Sequence, residues 1–126
     1  MPIIHITSLP FEQDLDSAAA IKTISREFAD KNGVELQHIT MTWTFLGAHH
    51  YVENGETCEF QLIGSHKILV DMAVPDFNSR PAIEKMLTTL ANSIARHCDV
   101  PVTKIFINLN LARSGLVFDE GQVVHW

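Results

Sequence analysis

The chain states one pattern twice, at a fixed offset of 66 residues. Ile4 and Ile6 fall on Val70 and Met72, since 70 − 4 and 72 − 6 are both 66. Ile21, Ile24 and Phe28 fall on Leu87, Leu90 and Ile94. Val34, Ile39, Met41, Trp43 and Phe45 fall on Val100, Ile105, Ile107, Leu109 and Leu111. The turns agree as well, because Gly55 in Glu53-Asn54-Gly55-Glu56 meets Gly121 in Asp119-Glu120-Gly121-Gln122. Each half must then be one supersecondary unit, and the two units must share a core.

Each half reads as strand, helix, strand, hairpin. Ile83, Leu87, Leu90, Ile94 and Cys98 form one stripe at helical spacing. This predicts a helix from about Arg80 to His97, with Asn78, Ser79 and Pro81 as start signals. The first helix is expected from about Asp14 to Asn32, with Gly33 as its stop. Strict alternation predicts strands over His38–Phe45 and Lys104–Leu111. Asn54-Gly55 is a strong hairpin signal.

A strand-helix-strand unit makes a right-handed parallel crossover. Two such units imply an α+β fold, a two-layer sandwich with a four-stranded mixed sheet and both helices on one face. A single domain over residues 1–126 is expected, with pseudo-repeats 1–60 and 67–126. The helices cover the Ile/Met/Trp/Leu face. The other face carries Thr40, Thr42, Thr44, Phe106, Asn108 and Asn110, which is only half polar. No segment remains to cover it, so an oligomer with these faces inward is expected.

The net charge of −6 excludes sequence-independent nucleic-acid binding, which needs Lys and Arg on phosphates. A few local cations still suffice for a small anion. No run approaches the roughly 18 apolar residues of a membrane span. The start Met-Pro-Ile-Ile-His-Ile lacks a basic signal-peptide region, so a cytoplasmic location is expected. Cys58 and Cys98 form no CxxC and read as reduced, small hydrophobic groups. His49-His50, with His38 or His66, has no ligand spacing and reads as surface or loop, so no metal and no cofactor is expected. Arg113 reads as a turn charge, Arg26 and Arg96 as solvated helix positions, and Trp126 as packed on a neighbour or frayed.

Pro2 carries the chemistry. A small second residue allows removal of Met1, which leaves a proline nitrogen as a free secondary amine. An α-amino group titrates near 7.7–8.0, and apolar burial lowers that value. Ile3, Ile4 and Ile6 supply apolar surroundings if this strand is central. A base poised near neutrality is the result. His38 opens the second strand at the same sheet end. It reads either as a site residue or as a plain polar-face histidine.

Met1-Pro2 on an apolar strand, and Pro101-Val102-Thr103-Lys104-Ile105-Phe106-Ile107-Asn108 followed by Ala112-Arg113-Ser114-Gly115 and Gly121, resemble the tautomerase superfamily. That group includes 4-oxalocrotonate tautomerase, carboxymethyl-hydroxymuconate isomerase and macrophage migration inhibitory factor. The resemblance implies a trimer with sheets inside and helices outside. It implies Pro2 as catalytic base. It also implies Asn108 as a site residue given by a neighbouring subunit, with Phe106 in place of a tyrosine. Ala73-Val74-Pro75-Asp76 stands where the muconate isomerase has its substrate arginine, and nearby Arg80 is the substitute.

The expected activity is keto–enol tautomerisation of a small 2-oxo or 2-hydroxy-unsaturated acid. Arg80 would hold the carboxylate. Asn108 or a backbone N–H would stabilise the enolate oxygen. Phe106, with Trp43 or Phe118, would wall the site. Two alternatives stand beside it: a non-catalytic trimeric binding protein, and a proline-based hydratase or dehalogenase.

Overall fold

The computed structural model describes residues 1–126. Strand β1 (Ile3–Ser8), helix α1 (Ser17–Asn32) and strand β2 (Thr40–Phe45) form the first unit, closed by a small hairpin of β3 (Val52–Glu53) and β4 (Glu56–Thr57). Strand β5 (Ile68–Pro75), helix α2 (Arg80–Cys98) and strand β6 (Ile105–Ala112) repeat it, closed by β7 (Val117–Asp119) and β8 (Gln122–Val124). The four long strands lie in the order β2-β1-β5-β6. Each unit pairs its strands in parallel, and the units meet antiparallel through β1 and β5. Both hairpins are separate two-stranded ribbons outside the main sheet.

The repeat becomes a pseudo-twofold axis. Ile4 faces Met72, Ile6 faces Val70, and His5 faces Asp71, its own equivalent at the offset of 66. The helices sit over the two central strands. Ala20, Ile24 and Phe28 of α1 and Met86, Leu90 and Ile94 of α2 are buried, and they too are 66 apart. With Ile4, Ile6, Val70 and Met72, all of them but Ala20 make up most of one core cluster. On the edge strands Met41, Trp43, Ile107 and Leu109 are only partly buried against it.

Three boundaries differ from expectation. Helix α1 begins at Ser17 and not Asp14, because the Asp16 carboxylate accepts the Ala19 N–H at 3.0 Å and caps the helix there. Neither His38 nor Lys104 starts a strand. Leu36–His38 and Val102–Lys104 are single 3₁₀ turns, again at equivalent places. Alternation of polar and apolar residues continues through such a turn, so the pattern overruns the true strand start.

The helix ends are a paired substitution. Gly33 closes α1 with φ 62°, and Asp99 closes α2 at the equivalent position with φ 53°. Glycine adopts that left-handed conformation freely, whereas Asp99 does so against its Cβ.

Candidate active site

Pro2 stands at the head of β1, a central strand of the sheet. Its carbonyl accepts the Thr40 N–H at 3.0 Å, which locks it to the start of β2. The Pro2 side chain is buried. Burial lowers the pKa of the Met1 α-amino group, which precedes Pro2, and the negative charge of Asp119 works against that. Asp119 is the residue that sequence reasoning missed. It ends β7, and only the folding back of the C-terminal hairpin brings its charge to the amine.

The loop after β5 and the start of α2 lie at this same end. Asp76 N–H bonds the Ala112 carbonyl, so the β5 and β6 ends stay together. The Ser79 hydroxyl caps α2 at the Ala82 N–H, and Arg80 follows as the first helical residue, exposed and with no ion-pair partner. Arg113, one residue past β6, also has none. His38 is exposed and sits 3.4 Å from Glu35, two residues before Thr40. Trp126 packs on its own chain, edge-on to Phe77, with its indole N–H donating to Asp76 at 2.8 Å. The expected fraying is thus corrected.

The open sheet face is arranged in rows. Thr40, Ile3, Ala73 and Asn110 form the row next to Pro2. Thr42, His5, Asp71 and Asn108 form the middle row, and Thr44, Thr7, Leu69 and Phe106 the far one. Strand spacing and rise put Asn108 on the order of 14 Å from Pro2 within one chain, and Phe106 further still. Pro2, His38 and Arg80 therefore share an end, while Asn108 and Phe106 do not join them in the same protomer. A depression of about 250 Å³ begins at Ile3 and runs over His5, Asp71, Ala73 and Asn110. Asn110 is thus nearer to Pro2 than Asn108.

Trp43 is not a wall of this site. It pairs with Ile6, faces the helices, stacks on Phe45 at 6.0 Å and donates to the Ser8 hydroxyl at 3.1 Å. Phe118, next to Asp119, is largely exposed. Arg96 is exposed as expected, but it is paired with Glu27. A larger cavity, about 440 Å³, lies elsewhere, among Phe11, Leu15, Ile63, His97 and Val100. The nearby start of α1 and end of α2 put it at the other end of the sheet from Pro2.

No helix is long and apolar enough to cross a membrane. No protein-family model and no curated protein matches this sequence. Solved structures do match. A fused 4-OT described as an asymmetric trimer superposes with a TM-score of 0.80 at 15% identity, covering 96% of this chain and 94% of that one. A member of the cis-3-chloroacrylic acid dehalogenase family gives 0.78 at 11% identity, over 97% and 82%. A macrophage migration inhibitory factor from Toxoplasma gondii gives 0.66 at 15% identity, over 94% and 96%. The chain therefore has the tautomerase-type α+β fold, with two helices on one face of a four-stranded mixed sheet.

Proposed function

We propose that the protein is a keto–enol tautomerase that uses Pro2 as general base on a small 2-oxo or 2-hydroxy-unsaturated acid. The observation that carries this reading is the desolvated amine at the head of a central strand. That amine belongs to Met1, and removal of Met1 makes the neighbouring Pro2 nitrogen the terminal amine in the same surroundings. An amine held below its ordinary pKa is free to accept a proton at neutral pH. It takes a proton from the carbon α to the carbonyl and returns it to the enolate at another atom.

Arg80 is the unpaired cation for the substrate carboxylate, and Arg113 is the alternative at the same sheet end. The enolate oxygen needs a donor, and the Asn108 amide lies too far away in the same chain, as does the Phe106 ring that would wall the site. A second copy, packed on the open face, supplies them, and we propose a homotrimer on that ground. The neighbour described as a trimer supports it. The expected substrate is thus a small carboxylate-bearing molecule.

The test is Pro2→Ala, assayed by ketonisation of phenylpyruvate enol, with intact mass recorded to confirm loss of Met1. A fall of about a hundredfold or more, with unchanged circular dichroism, is expected for a lost general base. Unchanged activity overturns the mechanism, and a retained Met1 favours the non-catalytic binding reading.

Asp119 favours a second reading. A carboxylate whose charge reaches the amine can activate water. Its oxygen takes a water proton, hydroxide adds to an unsaturated carbon, and the proline ammonium protonates the adjacent carbon. The neighbour from the dehalogenase family fits this reading. Asp119→Asn is expected to abolish water addition to an unsaturated acid while ketonisation persists.

A further inference from the structure

The segment between β4 and β5 holds a group of chemically active side chains that the Pro2 site does not use. Cys58 follows β4, and His66 precedes β5. The His66 ring is buried at 3% exposure, with the Tyr51 ring edge-on at 4.7 Å. Its Nε2 lies 2.8 Å from the Glu56 carbonyl oxygen. A carbonyl only accepts, so Nε2 carries the proton and Nδ1 of the neutral ring keeps its lone pair. That lone pair lies 3.3 Å from the Cys58 sulfur and 3.2 Å from the Ser65 hydroxyl.

The surroundings hold this geometry. Gln61, itself buried, donates to the His66 carbonyl and accepts the Leu9 N–H at 3.0 Å. The single Tyr51 hydroxyl proton is shared between two acceptors, the Lys67 carbonyl at 2.8 Å and the Glu53 carboxylate at 3.1 Å. The Lys104 ammonium donates to the Ser65 carbonyl at 3.3 Å, which places a positive charge beside the pair. The Glu53 carboxylate lies on the far side of the tyrosine. His49 bonds the Thr57 hydroxyl and, through its N–H, the Cys58 carbonyl. Cys58 keeps part of its surface exposed, whereas Cys98 is buried and its thiol is pushed up to about 12 by that burial. The thiol has a second acceptor in the Phe60 carbonyl at 3.2 Å. Only the imidazole can take the proton away.

We propose that Cys58 and His66 form a second reactive site, a thiol with a tautomer-locked base that captures soft carbon electrophiles such as α,β-unsaturated carbonyl compounds. His66 Nδ1 takes the thiol proton as the sulfur forms a bond to the β-carbon. The electron pair of the C=C bond moves to the α-carbon, which takes the proton back from the imidazolium. The net change is addition of S–H across the double bond, with nothing oxidised or reduced. A resting packing role for the pair predicts none of this.

The probe is N-ethylmaleimide, with labelling of Cys58 and Cys98 followed separately by peptide mass mapping on the full chain at pH 7. Folded protein is expected to label at Cys58 at least about tenfold faster than the same chain in urea, a threshold set below the roughly hundredfold low end of general-base assistance. Cys98 is expected to be the slow internal control. In His66→Gln the two roles predict opposite signs. Loss of a base slows labelling of Cys58, whereas loss of packing opens the loop and speeds it. Labelling of folded Cys58 at or below the unfolded rate overturns the proposal, as does faster labelling in His66→Gln. If that variant does not fold, the folded-to-unfolded ratio of the wild type decides alone. Pro2→Ala is expected to leave the rate unchanged, so this site and the tautomerase reading stand or fall separately.

Discussion

Glu27 gives Arg96, read from the sequence as a solvated helix position, a partner on the other helix. Arg96 and His97 belong to α2 and Glu27 to α1, and no motif joins them. Burial draws the Glu27 carboxyl up, but hydrogen bonds from Ser93, His97 and Arg96 and the Arg96 charge outweigh it and hold it at about 2. A carboxylate depressed in the folded state stabilises above its unfolded pKa, and that contribution fades as pH falls from about 4.5 towards 2. Arg96 is half exposed, so screening trims the benefit to about 1 kcal/mol. Glu27→Gln is expected to lose that much in urea melts at pH 7 and to match the wild type near pH 2. Cys58 is the other case. Read alone it is a small apolar residue, and only the loop that returns His66 to it gives it a base. Asp119 is missed for the same reason, since nothing in its local sequence points to the amine 118 positions earlier. Pro2 was legible because its chemistry is intrinsic to the imino group.

At the scale of elements the repeat was legible almost throughout. Helix α2 starts at Arg80 as expected, because Ser79 supplies a cap and Pro81 fits the first turn. The Asn54-Gly55 and Glu120-Gly121 pairs both take positive φ, so both tips turn as hairpins. Each hairpin stands apart from the main sheet, which polar-apolar periodicity could not reveal. The 3₁₀ turns before β2 and β6 were hidden because they keep the alternation going. One end carries strain: Asp99 takes the left-handed conformation that Gly33 takes in the first unit. Asp99→Gly is expected to raise stability by about 0.5–1 kcal/mol, read as a higher urea midpoint at unchanged slope. A lower midpoint would mean that the aspartate side chain stabilises this end by a contact outweighing its strain.

The whole molecule turns on its open face. The helices bury one side of the sheet, and the middle row of Thr42, His5, Asp71 and Asn108 lies across the other on the pseudo-twofold axis. If three copies close over that face, a charge reversal at its centre must repel itself. Asp71→Lys is expected to shift the species in analytical ultracentrifugation from trimer to monomer, and to lower the tautomerase activity with it. A wild type that sediments as a monomer would remove the second-copy donors from the proposed mechanism. By itself the sequence determined the two-unit architecture and the buried faces, and it pointed to the imino group of Pro2. Those follow from periodicity and side-chain chemistry, which act between near neighbours. Tertiary structure alone decided what meets across distance: Asp119 at the amine, His66 at Cys58, and Asn108 two strands and two rows away from Pro2. Such meetings depend on strand register and loop closure, which no stretch of residues encodes until the chain has folded onto itself.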